Sequence, residues 1–272
     1  MDTAQIKKLL QDQEIQPRKG LGQNFLVAKP ILDKIIAAAS LAKKDTVLEI
    51  GPGLGVLTKA LAQKVKRVVA VEKDPAMVDI LLRTVAKEHP NVEIIEGDVL
   101  KIENWELKIG KNYRVVANLP YYITSPVIRL FLEAKVQPKL MVLMVQKEVA
   151  QRICAKPPEM SLLAVSVQAY AKPEIISIVS KNAFWPQPKV DSAVIKITPT
   201  ALTPPTEFFA VVKAGFKHPR KQLAGNLAKG LGGLGRLGME KMLLQLGISS
   251  RARAETLSVE DWRKLAKLLS KK

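Results

Sequence analysis

The feature that most constrains this chain is a short apolar run followed at once by three closely spaced glycines, in residues 46–55, TVLEIGPGLG. The run predicts a buried strand, interrupted once by Glu49, and a helical pattern begins at Val56. Strand, glycine turn and helix form the layout of a nucleotide-cofactor loop, although a purely structural turn has the same layout. Glycine suits a backbone that turns tightly and approaches a ligand without a Cβ in the way. The stretch therefore favours an α/β chain with a ligand at the end of its first long strand.

Three further apolar runs each end in polar residues. The runs at 68–71, 92–95 and 115–117 lead to Glu72, to Gly97-Asp98 and to Asn118-Leu119-Pro120-Tyr121. Glu72 follows the first glycine by about 20 residues, where such folds place a carboxylate for ribose hydroxyls. Open α/β sheets bind ligands at the carboxyl ends of their strands, so we expect these polar residues to meet at one site.

The order of strands and helices predicts the architecture. The two types alternate to about residue 146, which predicts parallel βαβ units with right-handed crossovers. Helices are predicted at 3–14, 30–39, 56–65, 75–88 and 124–134, and a fifth strand at 140–145. The segment 160–170 fits either a helix or a strand. Strands at 175–179 and 190–197 have no helix between them, so they predict a hairpin. We expect an α/β fold: a Rossmann-like sheet with an antiparallel edge hairpin.

A proline-rich and threonine-rich stretch, residues 198–206, indicates a linker. Beyond it the pattern is helical throughout. We therefore expect an α/β domain over residues 1–200, including an N-terminal helix and a basic loop, and a small all-α domain over residues 201–272. The helical part holds 14 basic and 5 acidic residues, a net charge of +9.

The charge of the whole chain indicates its class of partner. The net charge is +18, from 43 basic and 25 acidic residues, which favours a polyanionic partner bound through phosphate contacts. The alternative is a basic protein without such a partner. No apolar stretch is long enough to span a bilayer, and the opening residues are polar, unlike a signal peptide. We expect a cytoplasmic protein without a membrane partner.

Metal-binding residue types are scarce. Cys154 is the single cysteine, so an internal disulfide framework and a cysteine-cluster metal site are excluded. His89 and His218 are the two histidines, which makes a zinc centre a poor interpretation. We expect no metal cofactor.

The tetrapeptide Asn118-Leu119-Pro120-Tyr121 carries the sharpest chemical signal. An adenine N6 amine is a poor nucleophile because its lone pair is delocalised into the ring. Methylating it requires acceptors that hold both N–H groups, and the Asn118 oxygen and the Leu119 carbonyl could serve, with Pro120 fixing the turn. Tyr121 offers a face on which a purine can stack. The alternative is an ordinary turn with a core tyrosine.

Several blocks of the sequence resemble the small-subunit (16S) ribosomal RNA adenine N6,N6-dimethyltransferase family, the dimethyladenosine transferases, which are related to the erythromycin-resistance methylases. The blocks that carry the resemblance are LGQNFL at 21–26, VLEIGPGLGVLT at 47–58, GDVL at 97–100, NLPYYITSPV at 118–127 and FWPQPKVDSAV at 184–194. A further segment, FKHPRKQLAGNL at 216–227, is similar to the basic segment of the family's C-terminal domain.

The resemblance implies roles for particular residues. Residues implied to bind S-adenosylmethionine are Asn24, Leu26, Gly51, Gly53, Glu72, Asp98 and Asn118. Residues implied to act in catalysis are Asn118, Leu119, Pro120, Tyr121 and Phe184. Basic residues expected to contact RNA are Arg18, Lys19, Lys189, Arg220 and Lys221. For Phe184, stacking on the target base and a core position are both compatible with the sequence.

The resemblance also implies the reaction. Methyl groups would pass from S-adenosylmethionine to N6 of two adjacent adenosines, in a hairpin near the 3′ end of small-subunit rRNA. We expect a monomer that acts on this RNA within a pre-30S particle. One alternative is an NAD oxidoreductase, which explains the glycine loop and Glu72 but neither the NLPY block nor the basic tail. The other is a ribosome-assembly factor whose binding matters more than its catalysis.

Overall fold

In the computed structural model, residues 1–102 and 109–270 are described. A seven-stranded sheet organises the first part of the chain, with the strand order β4-β3-β2-β5-β6-β9-β7. Its strands are β2 (Thr46–Ile50), β3 (Arg67–Glu72), β4 (Val92–Glu96), β5 (Tyr113–Asn118), β6 (Met141–Gln146), β7 (Ala171–Val179) and β9 (Ser192–Pro199). Neighbouring strands among the first five of this order, β4, β3, β2, β5 and β6, pair in parallel, whereas β9 runs antiparallel to β6. The prediction of a Rossmann-like sheet with an antiparallel edge is confirmed.

Strand β2 lies between β3 and β5 in the sheet, and both of its faces are covered. All four residues from Val47 to Ile50 are buried, including Glu49. A strand buried on both faces is typical of parallel sheets, where helices cover each side. The helices of this part are α1 (Thr3–Asp12), α2 (Lys29–Ala38), α3 (Val56–Ala62), α4 (Pro75–Leu81), α5 (Thr124–Leu132) and α6 (Lys147–Ile153). Helix α4 continues into a π-helical turn, Leu82–Ala86, which completes the predicted 75–88 helix almost to its end.

A separate two-stranded sheet joins distant parts of the sequence. Strand β1 (Phe25–Leu26) pairs antiparallel with β8 (Phe184–Trp185), with Leu26 opposite Phe184 and Phe25 opposite Trp185. Phe25 packs in a cluster with residues of α1 and α4, including Ile6, Leu10 and Met77. This sheet therefore fixes the loop before α2 against the loop that follows β7.

The chain divides into two compact units whose boundary differs from the predicted one. The first unit contains residues 1–150 and 174–199, and the second contains 151–173 and 200–272. The break near residue 200 agrees with the linker, but 151–173 was expected in the first domain. Its helix α7 (Leu162–Gln168) is capped by Ser161, and it buries Ala164 and Val165 in the core of the second unit. Packing thus resolves the ambiguous segment 160–170 as a helix.

The second unit is helical. Besides α7 it contains α8 (Phe208–Gly215), α9 (Leu223–Leu231), α10 (Gly235–Gln245) and α11 (Val259–Leu269). Trp262 is fully buried at its centre, where a Cβ on Gly215 would lie 2.3 Å from the indole ring. Within the described part of the chain, no helix is long and apolar enough to cross a membrane.

Candidate active site

The glycine turn after β2 requires glycine at its inner positions. Gly53 has φ +56°, and a Cβ there would lie 3.1 Å from the Phe25 ring. Gly55 has φ +76°, and a Cβ there would lie 2.4 Å from Val85. The left-handed conformation and the close neighbours both disfavour any larger residue. Gly51 begins the turn, and its N–H donates to the Val71 carbonyl at 2.9 Å. The backbone is thereby held against the end of β3.

Glu72, at the end of β3, is fixed by three backbone N–H groups. One carboxylate oxygen accepts from Gly53 at 3.1 Å, and the other accepts from Lys73 at 2.8 Å and Asp74 at 2.9 Å. Burial raises the pKa of Glu72, the three N–H groups lower it in part, and the charge of Asp74 adds to the rise. Glu72 therefore joins the glycine turn to the start of α4 as a rigid carboxylate.

Asp98, after β4, is held as an anion. Lys73 Nζ lies 3.0 Å from one carboxylate oxygen, and the Leu100 N–H donates to the other at 3.0 Å. Burial acts to raise the pKa of Asp98, but these two partners outweigh it, and the pKa is lowered overall. Hydrogen bonding and the charge of Asp98 likewise raise the pKa of Lys73. The ion pair stays charged through the neutral pH range.

Asn118, at the carboxyl end of β5, is oriented by a bond from its own amide. Its Nδ2 donates to the Asn24 carbonyl at 3.2 Å, and Asn24 in turn donates to the Gly22 carbonyl at 3.0 Å. Since the nitrogen is engaged, Oδ1 is the atom that remains to accept a hydrogen bond from a ligand. Pro120 follows with φ −54° and ψ 130°, an extended turn that leads into the 3₁₀ turn Tyr121–Ile123.

The Tyr121 ring is anchored through its hydroxyl, which lies 2.7 Å from Ser192 Oγ. Ser192 is fully buried at the start of β9. Burial raises the pKa of Tyr121, the Ser192 bond lowers it, and the charge of Asp191 raises it further. The phenol therefore stays neutral at physiological pH. Phe184 is 5% exposed and packs in the core with Leu26, and its ring also lines the pocket. Both interpretations of Phe184 thus remain compatible with its position.

One pocket of the first unit brings together every residue expected to bind the cofactor or to act in catalysis. Its lining includes Asn24, Leu26, Gly51, Gly53, Glu72, Asp98, Asn118, Leu119, Pro120, Tyr121 and Phe184. The residues come from four strand ends and from the two loops joined by β1 and β8. Among the described residues, no group of three or more His, Cys, Asp or Glu side chains is arranged to hold a metal ion.

The residues expected to contact RNA lie outside this pocket. The Arg18 guanidinium lies 3.1 Å from Asp74, so its charge already has a partner within the chain. The side chain of Lys19 lies outside the described part of the structure. Lys189 is exposed in the proline-rich loop after β8, and Arg220 and Lys221 are exposed in the turn between α8 and α9.

Asp74 does not line the pocket but supports it, and the sequence did not single it out. It is 1% exposed, caps α4, and accepts hydrogen bonds from Gln23 at 2.8 Å and from the Ala76 N–H at 3.2 Å. Because Gln23 also accepts from the Arg18 N–H at 2.7 Å, Asp74 holds the loop that carries Asn24. The sequence signal was an aspartate directly before Pro75, a pattern typical of a helix N-cap.

Glu49 is a second residue that the sequence did not single out as part of the site. It is 1% exposed within β2 and lines the pocket, and its pKa is raised to about 8, mainly by burial and in smaller part by the charge of Glu72. The nearby Thr58 hydroxyl lowers the pKa in part. However, neither Glu49 Oε2 nor Thr58 Oγ1 has a hydrogen-bond partner of normal geometry among the described residues. The sequence signal for Glu49 was a carboxyl group inside an otherwise apolar strand.

Comparison with known proteins agrees with this geometry. The model of the family described as "Ribosomal RNA adenine dimethylase" matches residues 15–271. A protein of Dehalococcoides mccartyi named "Ribosomal RNA small subunit methyltransferase A" is 46% identical, over 96% of this chain and 91% of its own length. A protein of Alkaliphilus oremlandii with the same name is 40% identical, over 98% of this chain and 96% of its own length.

Two solved structures are also similar to this chain over most of its length. A dimethyladenosine transferase from Plasmodium falciparum is 29% identical with a TM-score of 0.79, covering 91% of this chain and 98% of its own. The 23S rRNA methyltransferase ErmE is 27% identical with a TM-score of 0.74, covering 91% of this chain and all of its own. The match of the family model over nearly the whole length, with relatives that are 40% and 46% identical, settles the assignment: the chain belongs to the ribosomal RNA adenine dimethylase family.

Proposed function

We propose that this protein transfers methyl groups from S-adenosylmethionine to N6 of adenosine in small-subunit rRNA, twice per base, to give N6,N6-dimethyladenosine. The observation that carries the proposal is the orientation of Asn118. Its amide nitrogen is committed to Asn24, so its oxygen is the acceptor available to an exocyclic amine. Relatives named as small-subunit rRNA methyltransferases support the choice of substrate.

The residues of the pocket fit S-adenosylmethionine. Glu72 is a fixed carboxylate suited to ribose hydroxyls, and Asp98 is an anionic acceptor suited to an adenine amine. Glu49 contributes a buried oxygen without a partner among the described residues, which the ammonium of the methionine part would satisfy. When bound, S-adenosylmethionine supplies a methyl group activated by its sulfonium. Gly51 and Gly53 line the same pocket with backbone atoms alone.

The remaining residues suit an adenine ring. We assign one N6–H to the Asn118 oxygen and the other to the Leu119 carbonyl, which directs the nitrogen lone pair away from both acceptors. Tyr121 and Phe184 would hold the extruded base between their faces, since a base must leave its stack to be modified. No strong general base is required, because the N6 proton becomes acidic once the methyl group is attached. Positioning and electrostatics would account for the rate.

We extend the proposal to the setting of the reaction. The substrate would be two adjacent adenosines near the 3′ end of the small-subunit RNA within a pre-30S particle, and the enzyme would act in the cytoplasm as a monomer. Membership of the dimethylase family sets aside the NAD oxidoreductase. The assembly-factor alternative predicts that binding to the particle suffices, so it can be separated from catalysis by a variant that binds but does not methylate.

The decisive variant is Asn118→Ala. We expect single-turnover methyl transfer, with saturating S-adenosylmethionine and RNA, to fall by roughly 10²–10³-fold, the usual effect of removing one preorganised hydrogen-bonding group at the reacting centre. RNA affinity should hardly change, because phosphate contacts elsewhere dominate it. The product is identified as N6,N6-dimethyladenosine by mass spectrometry of the digested RNA.

Asn112→Ala is the matched control, because Asn112 is an exposed asparagine just before the opposite end of β5. It should methylate at the wild-type rate. If a folded Asn118→Ala protein also methylates at that rate, the assignment of Asn118 is wrong. If the wild-type protein methylates no adenosine of small-subunit RNA, either free or within a pre-30S particle, the proposed function itself is wrong.

A further inference from the structure

A second and larger cavity lies beside the pocket in the first unit. This groove has a volume of about 1370 Å³ and runs between two walls. One wall is formed by α1 and the residues after it, from Lys7 to Pro17. The other is formed by Trp185 and the proline-rich loop 186–190, with Gln146 from the end of β6. None of these residues has a role in the chemistry described above, apart from the expectation that Lys189 contacts RNA.

The groove is continuous with the pocket that would hold the target base. Gly22, Gln23, Asn24 and Tyr121 line both cavities. A nucleotide whose base enters the pocket remains joined to its neighbours through its 5′ and 3′ phosphates. One of these neighbours must therefore lie at an opening of the pocket, and the groove begins at the side where Tyr121 lies.

An aromatic ring is available in the groove. Trp185 is half-buried, and it packs against the cluster formed by α1, Phe25 and α4. The Lys7 ammonium lies 5.8 Å from the centroid of the indole ring. An indole face supported from behind is a stacking platform for an unpaired base, and base–aromatic stacking is worth about 1–3 kcal/mol per base.

Polar groups of the groove match the rest of a nucleotide. Gln146 is half-buried, and its side-chain amide makes no hydrogen bond to any residue that the structure describes. A primary amide can both donate to and accept from the edge of a base. Lys7 and Lys189 provide two exposed ammonium groups for phosphates, against the single carboxylate of Glu14. This excess of positive charge favours an anionic partner over an apolar or basic peptide. Among anionic partners, the indole ring and the continuity with the proposed base pocket favour nucleic acid over an acidic peptide.

We propose that this groove binds the unpaired nucleotide adjacent to the target adenosine, with its base stacked on Trp185 and its edge read by Gln146. The inference rests on the proposed function for the identity of the pocket's base. It adds a second nucleotide subsite, so that the enzyme holds a dinucleotide step of single-stranded RNA rather than one extruded base. Trp185 is accordingly a positioning residue.

The test is a double-mutant cycle between protein and RNA. The full-length protein is titrated with a short RNA containing the target adenosine, and with two versions in which the 5′ or the 3′ neighbour is an abasic ribose. Trp185→Leu should weaken binding of the intact RNA by about 5–150-fold, the equivalent of 1–3 kcal/mol. It should have almost no effect on one of the two abasic RNAs, because the base it would contact is already missing. Trp185→Phe should restore most of the affinity.

Two measurements separate the possible failures. Unchanged S-adenosylmethionine affinity of Trp185→Leu, measured by calorimetry, shows that the site is intact. An equal loss of affinity for all three RNAs, or no loss for any, would overturn the inference. Methylation of small-subunit RNA within a pre-30S particle by the wild-type protein tests the proposed function independently, because the binding cycle requires no turnover.

Discussion

The hydrogen bond between Tyr121 and Ser192 predicts that Tyr121→Phe is less stable than the wild type, which the sequence alone does not predict. If Tyr121 served only as an aromatic face, Tyr121→Phe would be silent. In the structure the phenol lies 2.7 Å from Ser192 Oγ, and Ser192 is fully buried. Removing the phenol oxygen therefore leaves a buried hydroxyl without this partner.

The size of the effect follows from that burial. An unsatisfied buried polar group costs about 1–3 kcal/mol, whereas replacing both partners by apolar groups of similar shape is nearly neutral. For a unit of this size, each kcal/mol lowers the unfolding midpoint by roughly 2–4 °C. Tyr121→Phe alone should thus lower the midpoint by roughly 2–12 °C, and the double variant Tyr121→Phe, Ser192→Ala should recover most of that loss.

Calorimetric unfolding of the wild type, both single variants and the double variant measures this coupling. In parallel, single-turnover methyl transfer should fall less than tenfold in Tyr121→Phe, because the ring is kept. In Tyr121→Ala the loss should reach the 1–3 kcal/mol of a stacked base. Strictly additive changes in the midpoint, with the double variant as unstable as both losses combined, would refute the reasoning.

Three further predictions concern charge. Glu72→Gln should weaken S-adenosylmethionine binding by about 1–3 kcal/mol in calorimetry, because one acceptor oxygen becomes a donor; unchanged affinity in a folded variant would remove Glu72 from the site. Glu49 has a folded-state pKa raised from 4.5 to about 8, so its contribution to stability is complete below about pH 4.5 and is lost as the pH rises towards 8. Ligand-free Glu49→Gln should therefore lose less of its unfolding free energy between pH 5 and 8 than the wild type, by at most roughly 4 kcal/mol; parallel curves would contradict this. Neutralising Arg220 and Lys221 together should reduce the slope of log RNA affinity against log salt by about two, and an unchanged slope would exclude them as phosphate ligands.

Much of the site could be predicted because it is made of strand ends. A parallel sheet places the residues after β2, β3, β4 and β5 along one edge, so apolar runs ending in polar residues already locate Glu72, Asp98 and Asn118. The blocks that resemble the family added further residues that line the pocket, such as Phe184.

The sequence did not identify residue pairs that are far apart along the chain and come into contact only through tertiary packing. Ser192 lies 71 residues from Tyr121, and nothing in the spacing identifies the pair. Arg18 reads as a free basic residue, but the structure pairs it with buried Asp74. The segment 151–173 reads as a continuation of the sheet domain, whereas its apolar face packs with α8, which lies after the linker.

The pairing of β1 with β8 has a consequence for the timing of synthesis. Leu26 and Phe184 are separated by about 160 residues, which a ribosome adds in roughly 8–30 s at 5–20 residues/s. During that interval the nascent chain already contains β2 to β5, with the glycine turn, both carboxylates and Asn118. It does not yet contain Phe184, Trp185 or Ser192. A chain interrupted in translation before residue 184 therefore carries Glu72, Asp98 and Asn118 but lacks Phe184, one of the two residues that we propose to hold the base. Under that proposal, we expect the nascent chain to become able to bind the target base only when the second strand of this small sheet leaves the ribosome.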